Sequence, residues 1–272
     1  MIDKTVHYIW LGEHEKPKQI KECFSSWKAN LKGYKFQEWS LSNIPRDIFF
    51  VEKMIELQQW AFASDYLRVY ILYKYGGIYL DTDMVVYKSF DPLLHSHFFI
   101  GKESDLTINA GIIGSIKNHY ILKECLSLYS SYNNSESFSL FLSKKITIPL
   151  IFTQVLNASL STNGNNLEKI KNITIYPSEY FYPIKFSERN TVSSFVPTNQ
   201  NTYTLHLWEA SWHNEFENLN HGKILKSLTM FFIKIKAIKK DRFVYFLVYF
   251  KFFLKTMLKL LFVTPSNKRS LI

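Results

Sequence analysis

Residues 63–83 read ASDYLRVYILYKYGGIYLDTD, and the order of features in this stretch decides the architecture. Ala61, Ala63, Leu67, Val69, Tyr70, Ile71 and Leu72 mark the buried side of a helix predicted over Leu57 to Tyr75. Gly76-Gly77 stops it, because glycine enters the left-handed conformation of a helix end without steric penalty. Ile78-Tyr79-Leu80 is then a short buried strand, with Asp81-Thr82-Asp83 at its carboxyl end. Residues two apart on a strand share a face. Two carboxylates there would enter the crevice where open α/β sheets bind their ligands.

Working outward, Thr5 to Trp10 is rich in β-branched and aromatic residues and runs into Leu11-Gly12, a strand followed by a loop. Pro17 opens a helix to about Asn30, with Ile20, Phe24 and Trp27 at helical spacing. Tyr34 to Trp39 alternates as a second strand, with Tyr34, Phe36 and Glu38 on one side. Met84 to Tyr87 continues in extended form, and Thr107 to Ser115 is an inner strand with two glycines. Helices are predicted near His119 to Tyr132 and Ile151 to Leu160, with a polar loop over Asn133 to Ser139. Ile173 to Pro177 and Thr202 to Trp208 complete the strands. The fold class is α/β, a mixed sheet flanked by helices. Residues 1–220 are expected to form this α/β domain, and 221–272 a basic, aromatic-rich helical region.

Alone, Asp-x-Asp is a weak signal, since most such pairs are solvated turns or helix caps. A hard divalent cation would take both carboxylates and keep positions open for phosphate oxygens. Asp65 and Arg68, three apart on the preceding helix, are neighbours on one face. Spacing leaves two readings open: a surface ion pair, or a carboxylate for sugar or ribose hydroxyls with a guanidinium that braces it or meets phosphate.

With the helix, the Gly-Gly stop and the strand in place, the run from Ala63 to Asp83 resembles the DXD sugar-binding region of glycosyltransferase family 32. That family includes capsular polysaccharide enzymes and yeast mannosyltransferases, and the pattern is similar to the catalytic domain of the large clostridial glucosylating toxins. His7-Tyr8-Ile9-Trp10-Leu11-Gly12 resembles the family's opening strand, and His206 to Trp212 its closing motif. The resemblance implies a GT-A fold and retaining transfer from a nucleotide sugar with Mn²⁺ or Mg²⁺. It makes Asp83 the direct metal ligand and shares Asp81 between sugar and metal shell. It brings His206 or a neighbour to the metal, and Trp208 or Trp212 to the β-phosphate. His7 and Trp10 fall on the donor side, Trp10 stacking on the base. Tyr79 lies beside the nucleotide, while Asp65, Arg68 and Asn109 hold the donor sugar. One departure is visible: Ile148-Pro149 stands where family members often carry Gly-Pro, which bears on the acceptor side. Each aromatic and histidine also has a plainer reading as core filling.

Composition bounds the rest. The chain has 272 residues, 47% hydrophobic, enough to bury a substantial core. A formal charge of +10 suits phosphate-bearing partners: nucleic acid, acidic lipid or a pyrophosphate ligand. Its location favours lipid. From Lys223 to Val263 there is neither proline nor glycine, and lysines interleave with Phe and Leu. The longest uncharged run there, FVYFLVYF, is far short of the ~20 apolar residues that span a bilayer. An interfacial helix on an acidic membrane is therefore expected, against the plainer alternative of helices packed on the domain. No nucleic-acid motif accompanies the charge. Cys23 and Cys125 have no metal-type spacing and read as reduced thiols. Met1 to Thr5 lacks signal-peptide features, so the expected location is cytoplasmic, peripheral on the inner face of the cell membrane.

The expected function is hexose transfer, UDP-hexose favoured, to a lipid-linked surface glycan. Two other enzyme readings stand beside it. One is a toxin-like transferase acting on protein. The other is a haloacid-dehalogenase-like phosphatase with Asp81 as nucleophile, although that pattern wants threonine where this chain has Val85. A non-catalytic peripheral membrane protein would have no use for the Asp65, Arg68, Asp81 and Asp83 set.

Overall fold

Helix formation around the central motif follows its apolar pattern, with one additional short helix upstream that the pattern did not show. In the computed structural model, strand β1 (Thr5–Ile9) leads into helix α1 (Lys18–Asn30), which follows Pro17. Strand β2 (Lys35–Trp39) comes next. The helix predicted over Leu57 to Tyr75 is α3 (Trp60–Tyr75), and it is preceded by a helix the sequence reading did not include, α2 (Phe49–Glu56). Helix α2 carries Phe50, Val51 and Met54 into the core, whereas Leu57 lies at the break and is exposed. Gly76 and Gly77 then turn the chain at φ 70° and 93°. A Cβ on Gly77 would meet the carbonyl oxygen of Thr5 at 2.6 Å, so the strand crossing needs glycine there.

Strand β3 (Gly77–Leu80) ends at the motif, and β4 (Met84–Val86) follows. Next come β5 (Phe98–Lys102), β6 (Ile108–Ser115), α4 (Tyr120–Ser130), α5 (Ile148–Thr162), β7 (Ile173–Tyr176), the single turn α6 (Ser178–Phe181) and β8 (Thr204–His206). The structure describes residues 1–12, 15–57, 59–132, 141, 146–162, 172–189, 197, 199–209, 218–219, 222, 224–237 and 242–262. Trp212 and the predicted loop over Asn133 to Ser139 lie outside them.

Six strands form a mixed sheet in the order β2-β1-β3-β6-β5-β7. Strands β2, β1 and β3 run parallel, and β6 is antiparallel to both β3 and β5. Period-two alternation divides the core between the two faces. Tyr79 and Ile113 pack with α2, α3, α4 and α5 on one side; Ile78, Leu80 and Ile112 pack with Trp27 and Phe181 on the other. This is the layered α/β architecture that the sequence predicts. Strand β2 departs from prediction, because it is the sheet's edge and only Trp39 is buried, leaving Phe36 exposed. Strand β5 escaped the sequence reading, although the run Phe98 to Ile100 is fully buried.

Strand β4 does not extend β3. It pairs antiparallel with β8 in a separate two-stranded sheet, Met84 opposite His206. By compactness the chain divides into Met1–Glu209 and Ala210–Ile272. The second unit holds helices α7 (Ile224–Ala237) and α8 (Arg242–Phe262). No described helix is long and apolar enough to cross a membrane. Cys23 and Cys125 are free and buried.

Candidate active site

Asp81 and Asp83 converge for a reason other than strand alternation. Strand β3 ends at Leu80, and the chain makes a turn in which the Met84 amide donates to the Asp81 carbonyl at 3.1 Å. That turn directs both carboxylates to the sheet's edge. Register then brings a third group: with Met84 opposite His206, the imidazole falls beside Asp83, Nε2 at 3.2 Å from Oδ1. The Glu209 amide donates to the other oxygen of Asp83 at 2.9 Å. Burial works against charge at Asp83, but His206 and this amide outweigh it and hold the carboxyl below the usual range. His206 moves the opposite way, its loss of solvation outweighed by Asp83.

Asp81 is held from within the domain. The Tyr79 hydroxyl donates to its Oδ1 at 2.7 Å, and Arg68 Nη1 lies 3.4 Å away. Burial nonetheless pushes the Asp81 carboxyl up, Arg68 opposing. The Arg68 guanidinium is spent inside the protein. It donates from Nη1 to the Ala110 carbonyl at 2.8 Å, pairs through Nη2 with Asp65 Oδ1 at 3.1 Å, and sits 4.6 Å over the Tyr79 ring. The surface ion-pair reading of Asp65 and Arg68 is thereby excluded, since both are buried. Asp65 also accepts from the Ile148 amide at 3.3 Å, capping the first turn of α5 where Pro149 offers no N–H. Burial pushes its pKa up to about 6, with Arg68 opposing.

Asn109, at the start of β6, opens on the same sheet edge as Asp81. Its Oδ1 accepts from the Gly111 amide at 2.8 Å, and its Nδ2 donates to Glu103 at 2.9 Å. A Cβ on Gly111 would stand 3.1 Å from Asp81, 3.2 Å from Asn109 and 3.3 Å from the Tyr182 hydroxyl, so these three groups surround that glycine. Trp10, half-buried, leaves the same edge, because β1 runs parallel to β3. Glu103, Tyr182 and the Glu209 amide were not found from the sequence. Glu103 belongs to a hairpin whose arm β5 went unread; its signal was the polar stretch Glu103 to Thr107 between two strands.

Two expected donor contacts are corrected. The His7 ring reaches Gly76, before β3, at the opposite end of that strand from Asp81. Its Nε2 bonds to the Gly76 carbonyl at 3.0 Å, and its Nδ1 accepts from the Trp39 indole at 3.2 Å. Burial lowers its pKa to about 4, so it is a neutral brace for the Gly-Gly turn. Trp208 donates its indole N–H to the Ile184 carbonyl at 3.0 Å, leaving nothing for a phosphate. Its ring packs on His206 at a centroid distance of 4.0 Å, from a left-handed backbone of φ 55°. A bulky residue held there costs on the order of 1–2 kcal/mol, and the packing keeps His206 in place.

Asp81, Asp83 and His206 offer ligand atoms all within 4.8 Å of one another. His206 Nδ1 is buried without a hydrogen-bond partner among the described residues. Two carboxylates and an imidazole with an unspent nitrogen fit a divalent cation.

Fold and site together put two carboxylates and an imidazole at the carboxyl edge of a mixed α/β sheet. Residues 17–99 match the family described as glycosyltransferase sugar-binding region containing DXD motif. Among relatives, a human alpha-1,4-N-acetylglucosaminyltransferase is 29% identical over 152 residues, 54% of this chain and 42% of that protein. A mouse lactosylceramide 4-alpha-galactosyltransferase is 29% identical over 162 residues, 56% and 42% of the two chains. The matched stretch thus spans less than half the length of these relatives. The solved PaToxG glycosyltransferase is 23% identical, with a TM-score of 0.48 over 62% of this chain and 73% of its own.

Proposed function

We propose that this protein transfers a hexose from a nucleotide sugar, UDP-hexose foremost, to a glycan acceptor, with retention of configuration. The observation that carries the proposal is the convergence of His206 on Asp81 and Asp83 of the DXD region, braced by Arg68 and Tyr79. A divalent cation held by these three, Mn²⁺ or Mg²⁺, would neutralise the diphosphate as its bond to the sugar breaks. The protein's own residues supply position. Asp65 and Arg68 fix Asp81, Glu103 and the Gly111 amide hold the Asn109 side chain, and Trp10 offers a face for the base. Retention is supported by the alpha linkages in the relatives' names, because sugar nucleotides of this kind are themselves α-linked. A lipid-linked acceptor is supported by the lactosylceramide in the name of one relative, and the proposal places that acceptor at the inner face of the cell membrane.

Donor hydrolysis tested against a panel of UDP- and GDP-hexoses, with and without Mn²⁺, decides the matter. Asp83→Ala should lower the metal-stimulated rate by roughly a hundredfold or more while the fold persists. Full turnover by that variant, or release of phosphate from monoesters in place of donor cleavage, overturns the reading.

A further inference from the structure

Helix α8 has two faces with different fates. Tyr249 and Thr256 are buried; Tyr249 stacks on Phe231 of α7 at 4.1 Å and its hydroxyl lies 2.6 Å from the Ser227 hydroxyl. On the opposite side Phe243, Leu247, Phe250, Leu254 and Leu258 are between 47% and 72% exposed. Their spacing of four, three, four and four residues confines them to a stripe about 80° wide and about 22 Å long. Scattered exposed apolar residues need no explanation, but an unbroken stripe along one helix face marks a docking surface.

The occupant is read from charge. Lys251 and Lys255, both exposed, flank the stripe on one side, at about 80° and 120° from Phe243. Neither α7 nor α8 contains a single Asp or Glu, while together they carry seven Lys and Arg. A groove on a protein would explain the apolar stripe and leave the one-signed charge unused. An acidic lipid surface uses both, with apolar side chains at the acyl boundary and ammonium groups at the headgroups. The lysines at mid-helix also keep α8 from crossing the bilayer. We infer that α8 docks this protein on anionic membranes, lying in the plane of the interface with the Phe243–Leu258 stripe inward and Tyr249 facing away.

The test is co-sedimentation of the full chain with phosphatidylcholine vesicles, with and without phosphatidylglycerol. Wild type should pellet with the acidic vesicles and be released by salt. Leu247→Ser/Phe250→Ser/Leu254→Ser should abolish pelleting, and because these side chains are already exposed the fold should survive. Lys251→Gln/Lys255→Gln, which leaves the stripe intact, should weaken binding to acidic vesicles by roughly fivefold per lysine removed. Wild type that fails to pellet, or a triple-serine variant that pellets equally, overturns the inference. So does a wild type that self-associates in light scattering and is made monomeric by the serines without vesicle binding, since a second copy would then cover the stripe. Donor hydrolysis measured without vesicles keeps this outcome separate from the transferase reading.

Discussion

Arg68 is the residue on which the placement of Asp65 and Asp81 depends. It lies between Asp65 and Asp81 and takes the Ala110 carbonyl as well, so three groups from three elements share one guanidinium. Lysine carries the charge but cannot divide it among three acceptors in a plane. Arg68→Lys should therefore fold and lose roughly a hundredfold in donor hydrolysis, because misplacing Asp81 by an ångström costs about that much. Arg68→Met leaves Asp65 buried without its countercharge and should destabilise the protein by about 3–5 kcal/mol in chemical denaturation. A fully active lysine variant, or a methionine variant of unchanged stability, would contradict this account of the network.

At the scale of elements, packing between adjacent strands tolerates no added atom at Gly114. A Cβ there would lie 2.0 Å from Phe99 Cε1 on β5, and Phe99 is wholly buried with no room to retreat. Gly114→Ala should cost about 1–3 kcal/mol, read as a lowered melting temperature, without touching the site's chemistry. The same scale shows why the sequence reading failed where it did. Strand β5 is a five-residue run whose partners are β6 and β7, so its identity as a strand depends on pairing that no local pattern announces. With β5 unread, Glu103 at its end had no place, although it holds Asn109. Helix α2 was missed for a similar reason: eight residues are too short for periodicity to stand out.

Across the whole molecule, buried neutral histidines make stability depend on pH. Burial lowers His119 to about 4, against an ordinary value near 6.5, with His97 adding to the effect. The unfolded chain binds that proton first, so the contribution is complete above pH 6.5 and is lost as pH falls towards 4. Asp65, raised to about 6, works in the opposite sense over the same window, so the signature is read as a difference between variants. His119 Nδ1 accepts from the Ile121 amide as the cap of α4, a part that asparagine can also play. Between neutral pH and pH 4, wild type should lose about 3 kcal/mol relative to His119→Asn. Parallel stability curves for the two proteins would refute a neutral buried imidazole.

What the sequence by itself determined is local. The helix, the Gly-Gly stop, the buried strand and the Asp-Thr-Asp end are consecutive, and each is enforced by neighbours within a turn or two, so the motif was legible with its surroundings. The layered α/β class followed from the alternation of such segments. Which groups meet the two aspartates was decided only in three dimensions. His206 reaches Asp83 through the pairing of β4 with β8, Arg68 turns inward because Ala110 offers a carbonyl, and His7 is drawn to the far end of β3 by Gly76. Such contacts join residues far apart in the chain, and their energies arise from register and burial, which exist only once the sheet has closed.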